Sequence, residues 1–178
     1  MSDTTEPTFR RLLLVGMMGA GKSTVGKALA ARLGWLYADS DEMVERETGQ
    51  GVAELWSTQG EPAFRKEESR VLAMALADEN PSVVSVAGGA VLDPENRRLV
   101  RTAGAVVWLR ARPETLAARV GRGDGRPLLS DDPGEALARL EPVRRPFYEE
   151  VSDVVVDVDG LSPNEVTDRV LEALGVQA

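Results

Sequence analysis

The chain has 178 residues, 21 basic and 29 acidic, for a formal net charge of −8. Its 43% apolar content excludes a disordered chain, and its length suffices for a full hydrophobic core. Acidity on this scale repels nucleic acid and anionic membrane, so an anionic ligand needs local positive groups.

Cysteine and histidine are both absent, which excludes disulfides, Cys/His zinc sites, thiol nucleophiles and histidine acid–base catalysis. The lack of cysteine suits a reducing cytoplasm. Only Lys22, Lys27 and Lys66 are lysines, so a lysine inside a motif stands out.

Met1 to Thr8 reads as a frayed polar N-terminus. Arg10-Arg11 ahead of an apolar run has the outline of a twin-arginine export signal. Asp3 and Glu6 spoil its basic region, and the run is far too short to span a bilayer. Arg11–Val15 is a strand candidate. Ser23–Leu33 has helical spacing at Val25, Leu29 and Leu33, with Gly34 as the C-cap. Trp35–Ala38 is a second strand, and short helices follow over Glu42–Glu47 and Val52–Ser57. Pro62 opens a longer helix to Ala77, and Ser82–Val86 is a third strand. Next come a helix from Pro94 to Ala103, a strand over Ala105–Leu109 and a helix over Pro113–Val120. Gly121–Gly134 has no periodicity and reads as a mobile loop. Glu135–Tyr148 is helical except around Pro142 and Pro146. Asp153–Val158 suits a half-exposed edge strand, and Pro163–Leu174 is the closing helix. Strands alternating with helices predict a parallel sheet covered on both faces, in one domain.

The strongest motif runs from Gly16 through Met17, Met18, Gly19 and Ala20 to Gly21, Lys22, Ser23 and Thr24. It fits G-x-x-x-x-G-K-[ST] between a strand and a helix, the context a phosphate-binding loop requires. Glycines let backbone N–H groups curl around phosphate oxygens, and the helix N-terminus adds positive charge. Lys22 can reach the β- and γ-phosphates, and Ser23 can ligate Mg²⁺.

Asp39-Ser40-Asp41 ends the second strand, where ligands gather in open parallel sheets. One carboxylate can support Mg²⁺ while the other orients a substrate hydroxyl; the alternative is an N-cap for the next helix. From the residues alone, Arg65 reads best as pairing with Glu68 on a solvated helix face. Ala87-Gly88-Gly89-Ala90 is either a flexible turn or a backbone seat for an anion or substrate. Arg122 to Leu129 is a glycine-hinged arginine loop, either solvated or a lid over phosphates. Arg144-Arg145-Pro146-Phe147-Tyr148 offers an arginine fork suited to a carboxylate, or simply a surface cluster.

Together these residues resemble the shikimate kinase family. The matching strings are Gly-x-x-Gly-x-Gly-Lys-Ser-Thr at 16–24, Asp-Ser-Asp at 39–41, Glu-x-x-Thr-Gly at 45–49 and Gly-Glu-x-x-Phe-Arg-x-x-Glu at 60–68. Gly-Gly-Ala at 88–90, Arg-Pro-Leu-Leu at 126–129 and Arg-x-Pro-Phe-Tyr-Glu-Glu at 144–150 follow in order. The resemblance implies a three-layer α/β/α P-loop kinase fold with a five-stranded parallel sheet in the order 2-3-1-4-5. It also implies a substrate-binding segment near 41–70 and a mobile lid near 119–134. The implied activity is phosphorylation of the 3-hydroxyl of shikimate by MgATP, feeding chorismate and aromatic amino-acid synthesis; the sequence has no sustained heptad or obvious apolar stripe, which suits a monomer.

By the same resemblance, residues 16–24 bind ATP, with Lys22 near the transferring group. Ser23 and, through water, Asp39 support Mg²⁺. Asp41 hydrogen-bonds ring hydroxyls and accepts the hydroxyl proton. Arg65 and Arg144 grip the shikimate carboxylate, helped by backbone at Gly88 and Gly89. Arg126 reaches the phosphates from the lid, and Arg119 and Pro163 flank adenine. One departure is Ala87, where the family usually has a glycine; a methyl is tolerable there unless the backbone needs positive φ or a ligand comes close. The rivals are a related gluconate kinase, against which the Asp39/Asp41, Arg65 and Arg-Pro-Leu-Leu set argues, and a nucleotide-binding regulatory module, which would bind ATP indifferently to any hydroxy acid.

Overall fold

The structure is a computed structural model, and it describes residues 7–121, 127–129 and 132–176. Five strands, β1 (Arg11–Val15), β2 (Leu36–Asp39), β3 (Ser82–Ser85), β4 (Ala105–Arg110) and β5 (Val154–Asp157), form one sheet. Its order is β2-β3-β1-β4-β5, with every pairing parallel, as expected. Leu12, Leu13 and Leu14 of the central strand are fully buried, which is why β1 is apolar throughout rather than alternating.

The helices are α1 (Lys22–Leu33), α2 (Ser40–Thr48), α3 (Val52–Gln59), α4 (Glu61–Ala77), α5 (Pro94–Ala103), α6 (Pro113–Val120), α7 (Pro133–Val151) and α8 (Pro163–Ala173). The connection from β1 to β2 runs one way across the sheet, and that from β3 to β4 runs the other. Right-handed crossovers therefore put α1 and α5 on opposite faces. The reversal falls between β1 and β3, so a crevice opens at their carboxyl ends. The loop after β1 carries the phosphate-binding motif, and the loop after β3 carries Gly88-Gly89. A bond from Val86 N–H to the Leu14 carbonyl (3.0 Å) fastens the two strand exits together.

Local chemistry explains the helix boundaries. Gly34 ends α1 in the left-handed conformation expected of a C-cap. Asp93 caps α5 through the N–H groups of Glu95 and Asn96, and Ser162 with Glu165 forms a capping box on α8.

The predicted breaks in α7 are absent, and one helix runs through both prolines. Pro142 and Pro146 lie four residues apart on the exposed face, where the carbonyls they leave unpaired can meet water. An interior proline costs about 3 kcal/mol. Burial of Leu137, Tyr148 and Val151 on the opposite face offsets that cost. The helix also begins at Pro133, which shortens the predicted loop.

Candidate active site

A cavity of about 830 Å³ opens at the carboxyl ends of the strands. Residues 18–25 line it, with Asp39, Asp41, Arg65, Gly88, Gly89, Arg119, Arg144 and Pro163. The crevice thus gathers predicted site residues from seven segments of the chain. Arg126 lies outside the described residues, while its neighbours Pro127 and Leu128 border the cavity.

At the phosphate end, Gly16, Gly19 and Gly21 adopt positive φ, so the loop turns its backbone inward before α1 begins. Lys22 Nζ donates to the carbonyls of Gly16 (2.8 Å) and Met17 (3.1 Å), which holds the ammonium across the loop. Ser23 Oγ donates to Asp39 Oδ2 at 2.7 Å.

The N-cap reading of Asp39 holds on one oxygen, and the other oxygen faces two hydroxyls. Oδ1 accepts the N–H groups of Asp41 and Glu42 as the cap of α2, while Oδ2 faces Ser23 and the Tyr37 hydroxyl. Tyr37 also reaches Ser85 Oγ at 3.0 Å. Burial pushes its phenol up to about 12, so it keeps its proton. A hydroxyl beside a buried carboxylate is a pair of hard oxygen donors, the kind that suits Mg²⁺.

At the other end, α2, α3 and α4 wall the cavity. Arg65 does pair with Glu68, through Nη1 at 2.9 and 3.0 Å, but the solvated face expected for that pair is wrong. Glu68 is only 2% exposed. The Arg65 guanidinium lies over the rings of Phe64 and Trp56, 5.3 and 5.5 Å from their centroids. Burial raises the Glu68 carboxyl to about 7, opposed by the Arg65 and Arg144 cations and reinforced by the Asp41 charge.

Arg144 is 1% exposed, and its Nε and Nη1 have no hydrogen-bond partner among the described residues. A buried cation in that state favours an anion beside it. The two arginines flank the two glycines. A Cβ on Gly88 would lie 3.4 Å from Arg144 Nη1, and one on Gly89 would lie 2.8 Å from Arg65 Cζ. A side chain at Gly89 would therefore displace the Arg65 guanidinium from its place beside the seat. Ala87 donates its N–H to Ser40 Oγ at 2.8 Å and is 6% exposed. No described non-glycine residue has positive φ, so the backbone objection to a methyl at this position does not apply.

Near the end of α6, Arg119 donates to the carbonyls of Val158 (3.1 Å) and Gly19 (3.5 Å). It thereby bridges the phosphate loop and the segment after β5, where Leu161 and Pro163 border the cavity.

Sequence reasoning missed the burial of Glu68 and the aromatic wall of Trp56 and Phe64. The spacing of Arg65 and Glu68 carried the pairing but not its depth.

A family model described as shikimate kinase matches residues 18–175. The chain is 44% identical over 167 residues to the shikimate kinase of Symbiobacterium thermophilum, covering 92% of this chain and 95% of the relative. It is 43% identical over 166 residues to that of Paramagnetospirillum magneticum, covering 93% and 84%. Among solved structures it resembles the shikimate kinase of Acinetobacter baumannii in complex with shikimate, with a TM-score of 0.90 and 33% identity over 96% of this chain and 94% of that one. The chain belongs to the shikimate kinase family, a family of ATP-dependent kinases.

Proposed function

We propose that this protein transfers the γ-phosphoryl group of ATP to the 3-hydroxyl of shikimate, giving shikimate 3-phosphate and ADP on the route to chorismate and aromatic amino acids. The observation that carries the reading is the pair of arginines, Arg65 and Arg144, beside Gly88 and Gly89 in the same cavity as the phosphate loop. In a protein of net charge −8, two cations at one end of a cavity are a local site for a carboxylate. The acceptor's ring then extends toward Lys22, with its hydroxyl near Asp41.

Each step follows from the groups present. The phosphate loop and Lys22 hold the β- and γ-phosphates. Asp41 accepts the proton of the attacking hydroxyl as its oxygen bonds to the γ-phosphorus. The bond from that phosphorus to the bridging oxygen breaks, and ADP departs. Lys22 stays beside the transferring group and offsets its charge. Ser23 and, through water, Asp39 are the residues that hold Mg²⁺. When bound, the ion supplies charge neutralisation at the phosphate oxygens. Arg126 is the lid residue assigned to the phosphates, and Arg119 with Pro163 flanks adenine. Positioning and charge stabilisation suffice for phosphoryl transfer, consistent with a chain that has no histidine.

The same reading makes the protein a single-domain, monomeric, cytoplasmic enzyme that binds neither nucleic acid nor membrane. The lack of cysteine and the negative charge support it. No described helix is long and apolar enough to cross a membrane.

The test is ADP release from MgATP with shikimate, gluconate or no acceptor. Turnover with shikimate alone is expected. Equal turnover with gluconate, or ATP binding with no acceptor-dependent turnover, would overturn the assignment.

A further inference from the structure

The seat beneath the acceptor is the peptide between two glycines, at the centre of a turn closed by the Ala90 N–H on the Ala87 carbonyl at 3.0 Å. Neither Gly88 nor Gly89 has a Cβ, so rotation of their shared peptide meets little steric resistance. One contact from a distant helix does restrain it. The Tyr148 hydroxyl donates to the Gly88 carbonyl at 2.7 Å, across 60 residues of sequence. Tyr148 is 1% exposed, and its ring packs against Trp108 with centroids 5.7 Å apart. It does not line the cavity itself. Met17 Sδ of the phosphate loop lies 3.6 Å from the same hydroxyl oxygen. Arg144 precedes Tyr148 by one helical turn, so α7 presents a cation and a peptide clamp along one face.

We propose that Tyr148 is a positioning residue for the acceptor, acting through the Gly88–Gly89 peptide. This rests on the acceptor site read above. A peptide is planar, and in its trans form the N–H points opposite to the preceding carbonyl. No described peptide bond is cis. Fixing the Gly88 carbonyl against Tyr148 therefore fixes the direction of the Gly89 N–H, which belongs to the seat between Arg65 and Arg144. The phenol stays a donor throughout the working pH range, because burial pushes its pKa up to about 12. Its place between Met17 and Gly88 also sets the distance from acceptor seat to phosphate loop.

The test is steady-state kinetics on Tyr148→Phe, which removes the hydroxyl and with it the contacts to the Gly88 carbonyl, Met17 Sδ and Arg144. A second donorless variant carries 4-fluorophenylalanine at position 148, which fills the hydroxyl's space should phenylalanine leave a void the fold does not bear. A third carries 4-aminophenylalanine there and restores an N–H donor. Loss of one hydrogen bond on the seat is expected to raise the KM for shikimate roughly five- to tenfold. The KM for ATP is expected to stay within about twofold. The amino variant is expected to recover most of the shikimate KM. A purely structural tyrosine would lower the melting temperature and leave the folded enzyme's two KM values alone. A shikimate KM unchanged in a folded donorless variant, or no recovery with the amino group, would overturn the role of Tyr148. An unsubstituted enzyme inert toward shikimate would instead refute the acceptor assignment, and the positioning role with it.

Discussion

Truncating Arg65 should separate the two halves of the cavity. Its Nη1 is held by Glu68 at 2.9 Å, and its guanidinium is stacked over Trp56 and Phe64. It is thus already aimed and partly desolvated before a carboxylate arrives. A charge-assisted hydrogen bond in such a place contributes about 1.5–3 kcal/mol. Glu68 competes for the same cation, which puts the expected loss near the lower end, roughly ten- to thirtyfold in shikimate affinity. A second consequence limits the damage. Without Arg65 the Glu68 carboxyl loses the cation that most opposes its burial. Its pKa then rises further, so it carries less charge and adds less repulsion toward the ligand. Arg65 is held by Glu61 and Glu68 of its own helix, so ATP affinity should change by less than about twofold. Titration calorimetry of Arg65→Ala with shikimate, and separately with a non-hydrolysable ATP analogue, measures both. Equal loss of the two affinities, or an unchanged shikimate affinity, would refute the reasoning.

Three other perturbations follow from the same geometry. The Glu68 carboxyl is raised from 4.5 to about 7, chiefly by burial. The folded state therefore holds this proton more tightly, and the associated stability is full below the unfolded pKa and lost as pH rises through about 7. Urea unfolding at several pH values should show Glu68→Gln gaining on the unsubstituted protein by up to roughly 3 kcal/mol across that window; a pH-independent difference would contradict the shift. Asp39→Asn keeps an oxygen for the cap of α2 but replaces the carboxylate facing Ser23. Its Mg²⁺ requirement should rise about tenfold while its melting temperature falls by only a few degrees, and thermal unfolding beside a Mg²⁺ titration checks the split. Removing the Arg126 side chain should lower kcat by at least about a hundredfold with little change in shikimate affinity; an unchanged turnover number would remove it from the phosphate site.

Much of this site was legible because its chemistry is local in sequence. A strand, a glycine loop with Lys22 and Ser23, and a helix form one continuous unit, so residues 16–24 needed no tertiary information. Asp39 was readable as a cap or as a metal support, and the fold shows Oδ1 capping α2 while Oδ2 accepts from the Ser23 hydroxyl. What failed was depth. The spacing of Arg65 and Glu68 predicts an ion pair, yet only the packing of α4 against α2 and α3 decides that Glu68 is buried. Arg144 reads as a carboxylate fork or as part of a surface cluster, since Arg-Arg before Pro is often exposed; its own position on α7 faces inward while Arg145 and Pro146 face out. The prolines of α7 misled for the converse reason, since local propensity ignores a buried face that outweighs it. Tyr148 carried no signal of its role, because its partner Gly88 lies 60 residues away.

The acceptor's carboxylate gives the most direct test of the whole arrangement. Turnover and KM should be measured with shikimate and with its methyl ester, which keeps the ring and every hydroxyl but removes the negative charge. If Arg65 and Arg144 hold that carboxylate, the ester should lose at least about a hundredfold in kcat/KM while the KM for ATP stays the same. An ester phosphorylated as efficiently as shikimate would contradict the arginine clamp, and with it the reason for assigning this acceptor.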